Sequence, residues 1–161
     1  MAVGITIRLA EAADAVRLSA ALRALSDDLG DRHGATDADI AAAGFGPDPA
    51  FRAVIAMRGD VVVGAAVFSP IYSTTRASAG VFVSDLWVAP SVRGARLGPR
   101  LLAAVRDDAA ARAGCGFIRL AVYADNPRAV AFYERMGFEA RSGEVGMIIA
   151  DAALGDIGGT A

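Results

Sequence analysis

Residues 81 to 102 constrain the fold more than any other stretch, because they predict a strand, a glycine-bearing loop and a helix in direct succession. The apolar run ends at Val88, and Pro90 stops the strand. After a loop from Arg93 to Gly98, Pro99 predicts the first position of a helix, where a missing N–H costs nothing. Unpaired N–H groups and the positive end of the helix dipole converge at such a junction, so the sequence predicts an anion site there.

The spacing of the loop residues excludes two common phosphate-binding motifs. A dinucleotide fingerprint requires Gly-x-Gly-x-x-Gly, whereas Gly94 and Gly98 are separated by three residues with no third glycine. A P-loop requires a lysine, and all 16 basic residues of this chain are arginine. Arg93, Arg96 and Arg100 add positive charge to the predicted anion site.

The composition of the chain limits the number of domains and the classes of binding partner that are expected. A chain of 161 residues with 55% apolar content predicts a single soluble domain over residues 1–150, followed by a C-terminal tail over residues 151–161. The net charge of −2 argues against a nucleic-acid partner, and the lack of a long apolar run argues against a membrane partner. The single cysteine, Cys115, cannot form an internal disulfide, so a cytoplasmic location is expected.

The loop and the strand before it resemble the acyl-CoA motif of the GNAT superfamily of N-acyltransferases. That motif is Arg/Gln-x-x-Gly-x-Gly/Ala after an Asp-Leu-aromatic-Val-x-Pro strand, and Arg93, Gly98 and residues 85–90 match it. Arg96 replaces the central glycine, which keeps a backbone N–H and adds a positive charge. Taken alone, the motif leaves open an ordinary strand-turn-helix with a surface arginine cluster.

A second stretch carries the resemblance more strongly. Residues 126–138 look like the GNAT signature Asn-x-x-Ala-x-x-Phe-Tyr-x-x-x-Gly-Phe, and every named position matches. Asn126 is a good N-cap and Pro127 a good first helical residue, so a helix is expected from there to about Met136. Two motifs in the family's order are much harder to obtain by chance than either alone.

The resemblance implies an α/β fold (α+β, GNAT-like), with a mixed, mostly antiparallel sheet of about seven strands, helices on both faces and a splayed central strand pair. Hydrophobic periodicity predicts the individual elements. The expected strands are residues 3–9, 51–57, 61–72, 81–88 and 117–123 with two closing strands within 138–150, and the expected helices are 11–29, about 37–43, 99–113 and 127–136.

The resemblance also implies the ligands. The family transfers an acetyl group from acetyl-CoA to an amine in a ternary complex, so acetyl-CoA is expected as the donor cosubstrate and no metal is expected. A homodimer is common in the family and is carried over as an expectation. The coenzyme contacts that the matching positions imply are Leu86, Trp87, Val88, Arg93, Gly94, Ala95, Arg96, Leu97, Gly98, Pro99 and Asn126.

Two residues are predicted to be catalytic by the resemblance. Tyr133 matches the family tyrosine and would protonate the leaving thiolate, although a helix tyrosine packed beside Phe132 is the alternative. Asp85 has three interpretations that the sequence leaves open: a base acting through water, a ligand for a cationic substrate, or a structural acid. Ser84 stands where some polyamine-acetylating relatives carry a glutamate.

The acceptor is indicated only by charge. In the family, the first two helices and the loop between them form one wall of the acceptor pocket. Here that segment contains Asp27, Asp28 and Asp31, which favour a small cationic or peptidic amine unless they form a solvated surface without a ligand. The predicted function is therefore an N-acetyltransferase. The alternatives are a non-catalytic acyl-CoA-binding regulatory module of the same fold and a partner-binding domain without a coenzyme.

Overall fold

The protein is described by a computed structural model over residues 4–159, which leaves residue 3 of the first predicted strand and residues 160–161 of the predicted tail outside. The chain forms two compact units, the first ending at Ala121 and the second beginning at Val122. The first unit contains all the strands of the described residues and three of the α-helices. The expectation of one domain over residues 1–150 stays a prediction.

The first unit is built on a five-stranded sheet in the order β1-β2-β3-β4-β5. Three neighbouring pairs are antiparallel and the pair β4–β5 is parallel, so the predicted mixed, mostly antiparallel sheet is confirmed. The middle strand is apolar on both faces because helices cover it from both sides. The strands are β1 (Ile5–Leu9), β2 (Arg52–Arg58), β3 (Val61–Ser73), β4 (Ser78–Val88) and β5 (Ile118–Leu120).

Helices cover both faces of this sheet, as expected. Helices α1 (Ala15–Leu29) and α2 (Asp37–Phe45) bury Leu18 and Ile40 in one cluster with Ile55 of β2. Helix α3 (Leu97–Ala113) packs on the opposite face against β2, β3 and β4.

Gly64 of β3 allows the first turns of α3 to approach the sheet closely. A Cβ atom at this position would lie 3.0 Å from Leu101 Cδ1 and 3.2 Å from Leu97 Cδ2. Leu97 and Leu101 are buried, so the start of α3 is fixed on the sheet by apolar contacts.

Helix α3 begins two residues earlier than the sequence predicted, at Leu97 instead of Pro99. Pro99 is the third residue of the helix. The first four N–H groups of a helix have no intrahelical acceptor, so proline costs no hydrogen bond at this position either. The sequence signal was right about the helix start and wrong about its first residue.

The second unit contains α4 (Pro127–Glu134) and the short α5 (Asp151–Gly155). The two closing strands expected within residues 138–150 do not form, which leaves five strands among the described residues in place of about seven. Met147 and Ile148 are 93% and 92% exposed. Gly143 and Gly146 weaken strand formation, and the second unit offers no strand as a partner among its described residues.

Two isoleucine substitutions test this description. Ile55→Ala should lower the free energy of unfolding by about 2–5 kcal/mol, because Ile55 is 0% exposed and its loss leaves a cavity. Ile148→Ala should change it by less than about 0.5 kcal/mol, because the side chain already contacts water. Urea unfolding of both variants measures the difference. A loss at Ile148 comparable to that at Ile55 would contradict the description, because it would show that the Ile148 side chain is buried.

Candidate active site

The edge of β4 that faces β5 is paired along only part of its length. β5 pairs with residues Val81–Val83, whereas β4 continues to Val88. Within the described chain, no strand pairs with this side of β4 from Ser84 onward. The parallel pair thus stops while β4 continues, and main-chain groups along the rest of β4 are left without a strand partner. The expected splaying of the two strands stays a prediction.

A β-bulge marks the point where this pairing stops. On the β3 side, Phe68 pairs with Val83 and Val67 pairs with Asp85, so Ser84 is an extra residue in β4. The Ser84 hydroxyl donates to the Asp85 carboxylate at 2.7 Å. No cationic side chain of residues 4–159 forms an ion pair with Asp85, so its charge is available to a ligand.

One hydrogen bond just past the end of β4 shows which main-chain N–H and C=O groups of the strand face β3 and which face the unpaired side. The Ala89 N–H donates to Val63 O at 2.9 Å, so the Ala89 main chain faces β3. Because these groups alternate along a strand, those of Val88 and Leu86 face the unpaired side. Consistently, Val88 O accepts a hydrogen bond from Arg93 Nε at 3.0 Å. Leu86 and Val88 can thus pair with the amides of an extended ligand, and their contact with the coenzyme stays a prediction.

Trp87, unlike Leu86 and Val88, does not face the unpaired edge of β4. By the same alternation its main chain faces β3, and its indole packs against the apolar cluster under α1 and α2. With Arg17 and Asp60 it lines a pocket of about 300 Å³ on that face. Trp87 was predicted as a coenzyme contact, and the structure does not bring it to the unpaired edge with Leu86 and Val88.

The loop before α3 presents several unused backbone donors. Among the described residues, no acceptor pairs with the N–H groups of Gly94, Arg96, Leu97 and Gly98. Ala95 is different, since its N–H donates to Val92 O at 3.4 Å. Pro99, also predicted as a contact, has no N–H to donate. Free donors at the N-terminus of a 17-residue helix form a site for an anion.

Arg96 is the N-cap of α3 and has a left-handed backbone, with φ 56° and ψ 26°. This conformation costs an L-residue about 1–2 kcal/mol and costs glycine nothing, which explains why the family motif has glycine here. The Arg96 side chain makes no hydrogen bond or ion pair within residues 4–159. The substitution therefore strains the loop and adds a free cation beside the unused donors.

Two predicted residues from different parts of the site contact each other. Arg93, assigned to the coenzyme, forms an ion pair of 2.6 Å with Asp28, assigned to the acceptor. Asp28 lies with Asp27 in the last turn of α1, and Asp31 follows the helix. Sequence reasoning missed this pair because the partners are 65 residues apart and no local pattern connects them.

Tyr133 lies on α4 of the second unit, between two aromatic rings. Its ring meets those of Phe132 and Phe138 edge to face, with centroids 5.1 Å and 5.4 Å away. Burial raises the pKa of the Tyr133 phenol above its ordinary value, because the surroundings disfavour the phenolate. A phenol with an ordinary pKa near ~10 already holds its proton at physiological pH, and the shift moves its ionisation to still higher pH.

Asn126 caps α4. Its Oδ1 accepts the Ala129 N–H at 3.2 Å, and Pro127 follows as the first helical residue, as predicted. The cap uses only the oxygen of the side chain, so the amide NH₂ remains a donor for the predicted coenzyme contact.

The described residues contain no group of three or more His, Cys, Asp and Glu side chains arranged to hold a metal ion. In residues 4–159, no helix combines the length and the apolar character that a membrane span requires.

Comparison with known proteins identifies similar sequences. A model of the Acetyltransferase (GNAT) family matches residues 19–138, more than half of the chain. The thialysine N-epsilon-acetyltransferase of Mus musculus is 33% identical over 106 residues, which span 61% of this chain and 61% of the mouse protein. The enzyme of the same name from Sus scrofa is 29% identical over 143 residues, or 83% of each chain.

Solved structures show a similar fold. An integron cassette protein from V. cholerae superposes with a TM-score of 0.79 at 19% identity, covering 99% of both chains. An aminoglycoside N-acetyltransferase in complex with CoA has a TM-score of 0.74 at 21% identity, covering 92% of this chain and 95% of the other.

The strained loop residue yields a stability prediction. Arg96→Gly should raise the free energy of unfolding by about 0.5–1 kcal/mol, since relief of the left-handed backbone exceeds the entropy that glycine adds to the unfolded chain. Arg106→Gly is the matched control and should lower it by about 1 kcal/mol, because Arg106 lies inside α3. Thermal or urea unfolding distinguishes the two, and a destabilising Arg96→Gly would contradict the left-handed assignment.

The raised pKa of Tyr133 predicts a pH dependence. A phenol whose pKa is higher in the folded state contributes stability below its unfolded pKa of about 10, and that stability is lost as pH rises through the folded pKa. Tyr133→Phe should therefore lose less stability than the parent protein above about pH 10. In an absorbance titration of the phenolates, the variant should also lack the ionisation step at the highest pH, because that step belongs to the Tyr133 phenol. Identical alkaline profiles would mean that the phenol is not desolvated.

Proposed function

Because the chain belongs to the GNAT family of acetyltransferases, we propose that it transfers an acetyl group from acetyl-CoA directly to a primary amine in a ternary complex. The family and the enzyme class that the two motifs predicted are confirmed by the match over residues 19–138. The acceptor that we propose is a small cationic molecule or a peptide. A homodimer and a cytoplasmic location stay predictions.

One observation carries the coenzyme part of the proposal: the unpaired edge of β4 ends beside the unused donors of the α3 N-terminus. The link between them is Arg93, whose side chain reaches from the loop to Val88 O at 3.0 Å. An acyl-CoA has amides in its pantetheine arm and a diphosphate at the end of that arm. We assign the amides to Leu86 and Val88 and the diphosphate to the loop from Gly94 to Gly98.

The residues of the β4 edge also suit the chemistry of acyl transfer. The Val88 N–H faces the unpaired side, where it can donate to the thioester oxygen as negative charge develops on it. An alkylamine with a pKa near ~10.4 must lose a proton before it attacks. Asp85 is the acid of β4 nearest to Leu86 and Val88 in sequence, and its carboxylate accepts a hydrogen bond from Ser84. We propose that Asp85 accepts this proton through water or orients the ammonium.

Tyr133 is proposed as the acid that protonates the departing thiolate. A thiol has an ordinary pKa near ~8.5, and its anion leaves faster when a proton arrives as the carbon–sulfur bond breaks. A tyrosine phenol has an ordinary pKa near ~10 and is protonated at neutral pH, and burial raises the pKa of Tyr133 further, so the donor proton is present. The packing between Phe132 and Phe138 fixes the ring and supports this role as well as the structural one.

The acceptor assignment has two supports. The two mammalian relatives are named for acetylation of thialysine, and the structural neighbour with CoA is named for acetylation of aminoglycosides. In this chain, Asp27, Asp28 and Asp31 place negative charge at the end of α1 and in the residue after Gly30, which would attract a cationic amine. Neutral amines should therefore be poorer acceptors.

An amine screen tests the proposed function. The protein is mixed with acetyl-CoA and, separately, with thialysine, a polyamine, an aminoglycoside, a peptide N-terminus and a neutral amine, and free thiol is measured. We expect thiol release with at least one cationic amine and stabilisation against heat by acetyl-CoA. Stabilisation without thiol release from any amine would favour the non-catalytic acyl-CoA-binding module. Absence of both would contradict coenzyme binding altogether.

Variants of two tyrosines complete this experiment. Tyr133→Phe keeps the ring and removes the proton, so kcat should fall by about a hundredfold or more while the Kd for CoA changes less than about twofold. Tyr72→Phe is the matched control, because Tyr72 is 66% exposed and lies on β3. Equal losses of kcat and coenzyme affinity in Tyr133→Phe would remove the phenol from the mechanism.

A further inference from the structure

The ion pair between Arg93 and Asp28 connects the coenzyme loop with the wall proposed for the acceptor. Arg93 Nη2 lies 2.6 Å from Asp28 Oδ2, and Arg93 Nε donates to Val88 O at 3.0 Å. We propose that the coenzyme diphosphate displaces Asp28 from Arg93, and that the released carboxylate then binds the ammonium of the acceptor. This inference rests on the proposed function and names the two residues that couple coenzyme binding to acceptor binding.

The pair is weak enough to be exchanged. The side chains of Arg93 and Asp28 are 53% and 39% exposed, and exposed ion pairs contribute at most about 1 kcal/mol. A diphosphate carries more charge than one carboxylate and can accept from a guanidinium at two oxygens. It would also meet the unused N–H groups that begin at Gly94, the residue after Arg93. The diphosphate therefore outcompetes Asp28 for the guanidinium.

The hydrogen bond between Arg93 and Val88 can persist during the exchange, so only the end of the Arg93 side chain has to move. Arg93 Nε can stay on the Val88 carbonyl while Nη2 turns from the carboxylate to a phosphate oxygen. A carbonyl oxygen has two lone pairs, so Val88 O can accept from Arg93 and from a pantetheine amide together. No backbone rearrangement is needed.

Asp28 loses its cationic partner once Arg93 has turned to the diphosphate. It lies in the last turn of α1, where the helix dipole is negative, and Asp27 precedes it. The last turn of α1 has no basic residue, so Arg93 is the side chain that pairs with Asp28 in the described structure. An ammonium group at Asp28 would replace the lost charge. The coenzyme should therefore increase the affinity for cationic amines, and by the reciprocity of linkage a cationic amine should increase the affinity for the coenzyme.

Calorimetric titration of CoA without any amine tests the exchange. Asp28→Asn removes the competitor for Arg93, so the Kd for CoA should decrease about two- to fivefold. Asp27→Asn is the matched control: it removes the same charge from the same helix turn, but Asp27 does not pair with Arg93, so its effect should be smaller than about twofold. In an Arg93→Gln background, Asp28→Asn should leave the Kd for CoA unchanged. Raised salt should reduce the difference between Asp28→Asn and the parent protein.

Each outcome has a definite meaning. An unchanged or weaker Kd in Asp28→Asn, or an equal effect of Asp27→Asn, overturns the exchange while leaving the proposed function intact. A persistent effect of Asp28→Asn without Arg93 also overturns it. No CoA binding to the parent protein overturns both proposals. Tighter CoA binding in Asp28→Asn, together with an unchanged KM for the cationic amine that the parent protein acetylates, supports displacement at Arg93 and contradicts release of Asp28 for an acceptor.

Discussion

The site depends on a strand that is paired on one side and left open on the other. β4 continues to Val88 after β5 has ended its pairing at Val83, and main-chain groups that face the open side need partners. The bulge at Ser84 occurs at this transition. An extended ligand with its own amides satisfies these groups as a neighbouring strand would, which is why a sheet can hold a coenzyme arm without a dedicated set of side chains.

The anion site depends on how closely α3 approaches the sheet. Gly64 leaves room for Leu97 and Leu101, which fix the first turns of α3 on β3. The donors in the preceding loop are thereby held beside the open end of β4. Arg96 retains the left-handed backbone that glycine would adopt without strain, so this residue costs the folded state a small amount of free energy.

The structural elements of the site that the sequence predicted depend on patterns of neighbouring residues along the chain. The β4 strand, the loop before α3 and the Asn126 cap are each specified within a few consecutive residues, where proline, glycine and asparagine have clear backbone preferences. The two closing strands were expected within residues 138–150, but strand formation also needs a partner strand, which no local pattern reports. The Arg93–Asp28 pair was inaccessible for the same reason, since it arises only when α1 and the loop fold together.

The most direct test of the account follows backbone amides by NMR while acetyl-CoA is added to isotopically labelled protein. The account predicts that the largest shifts occur at Leu86 and Val88 on the open edge and at Gly94, Arg96, Leu97 and Gly98 before α3, where the unused donors lie. Trp87 should shift less than its two neighbours, because its main chain faces β3. Shifts concentrated elsewhere in the protein, with these amides unperturbed, would contradict the central claim.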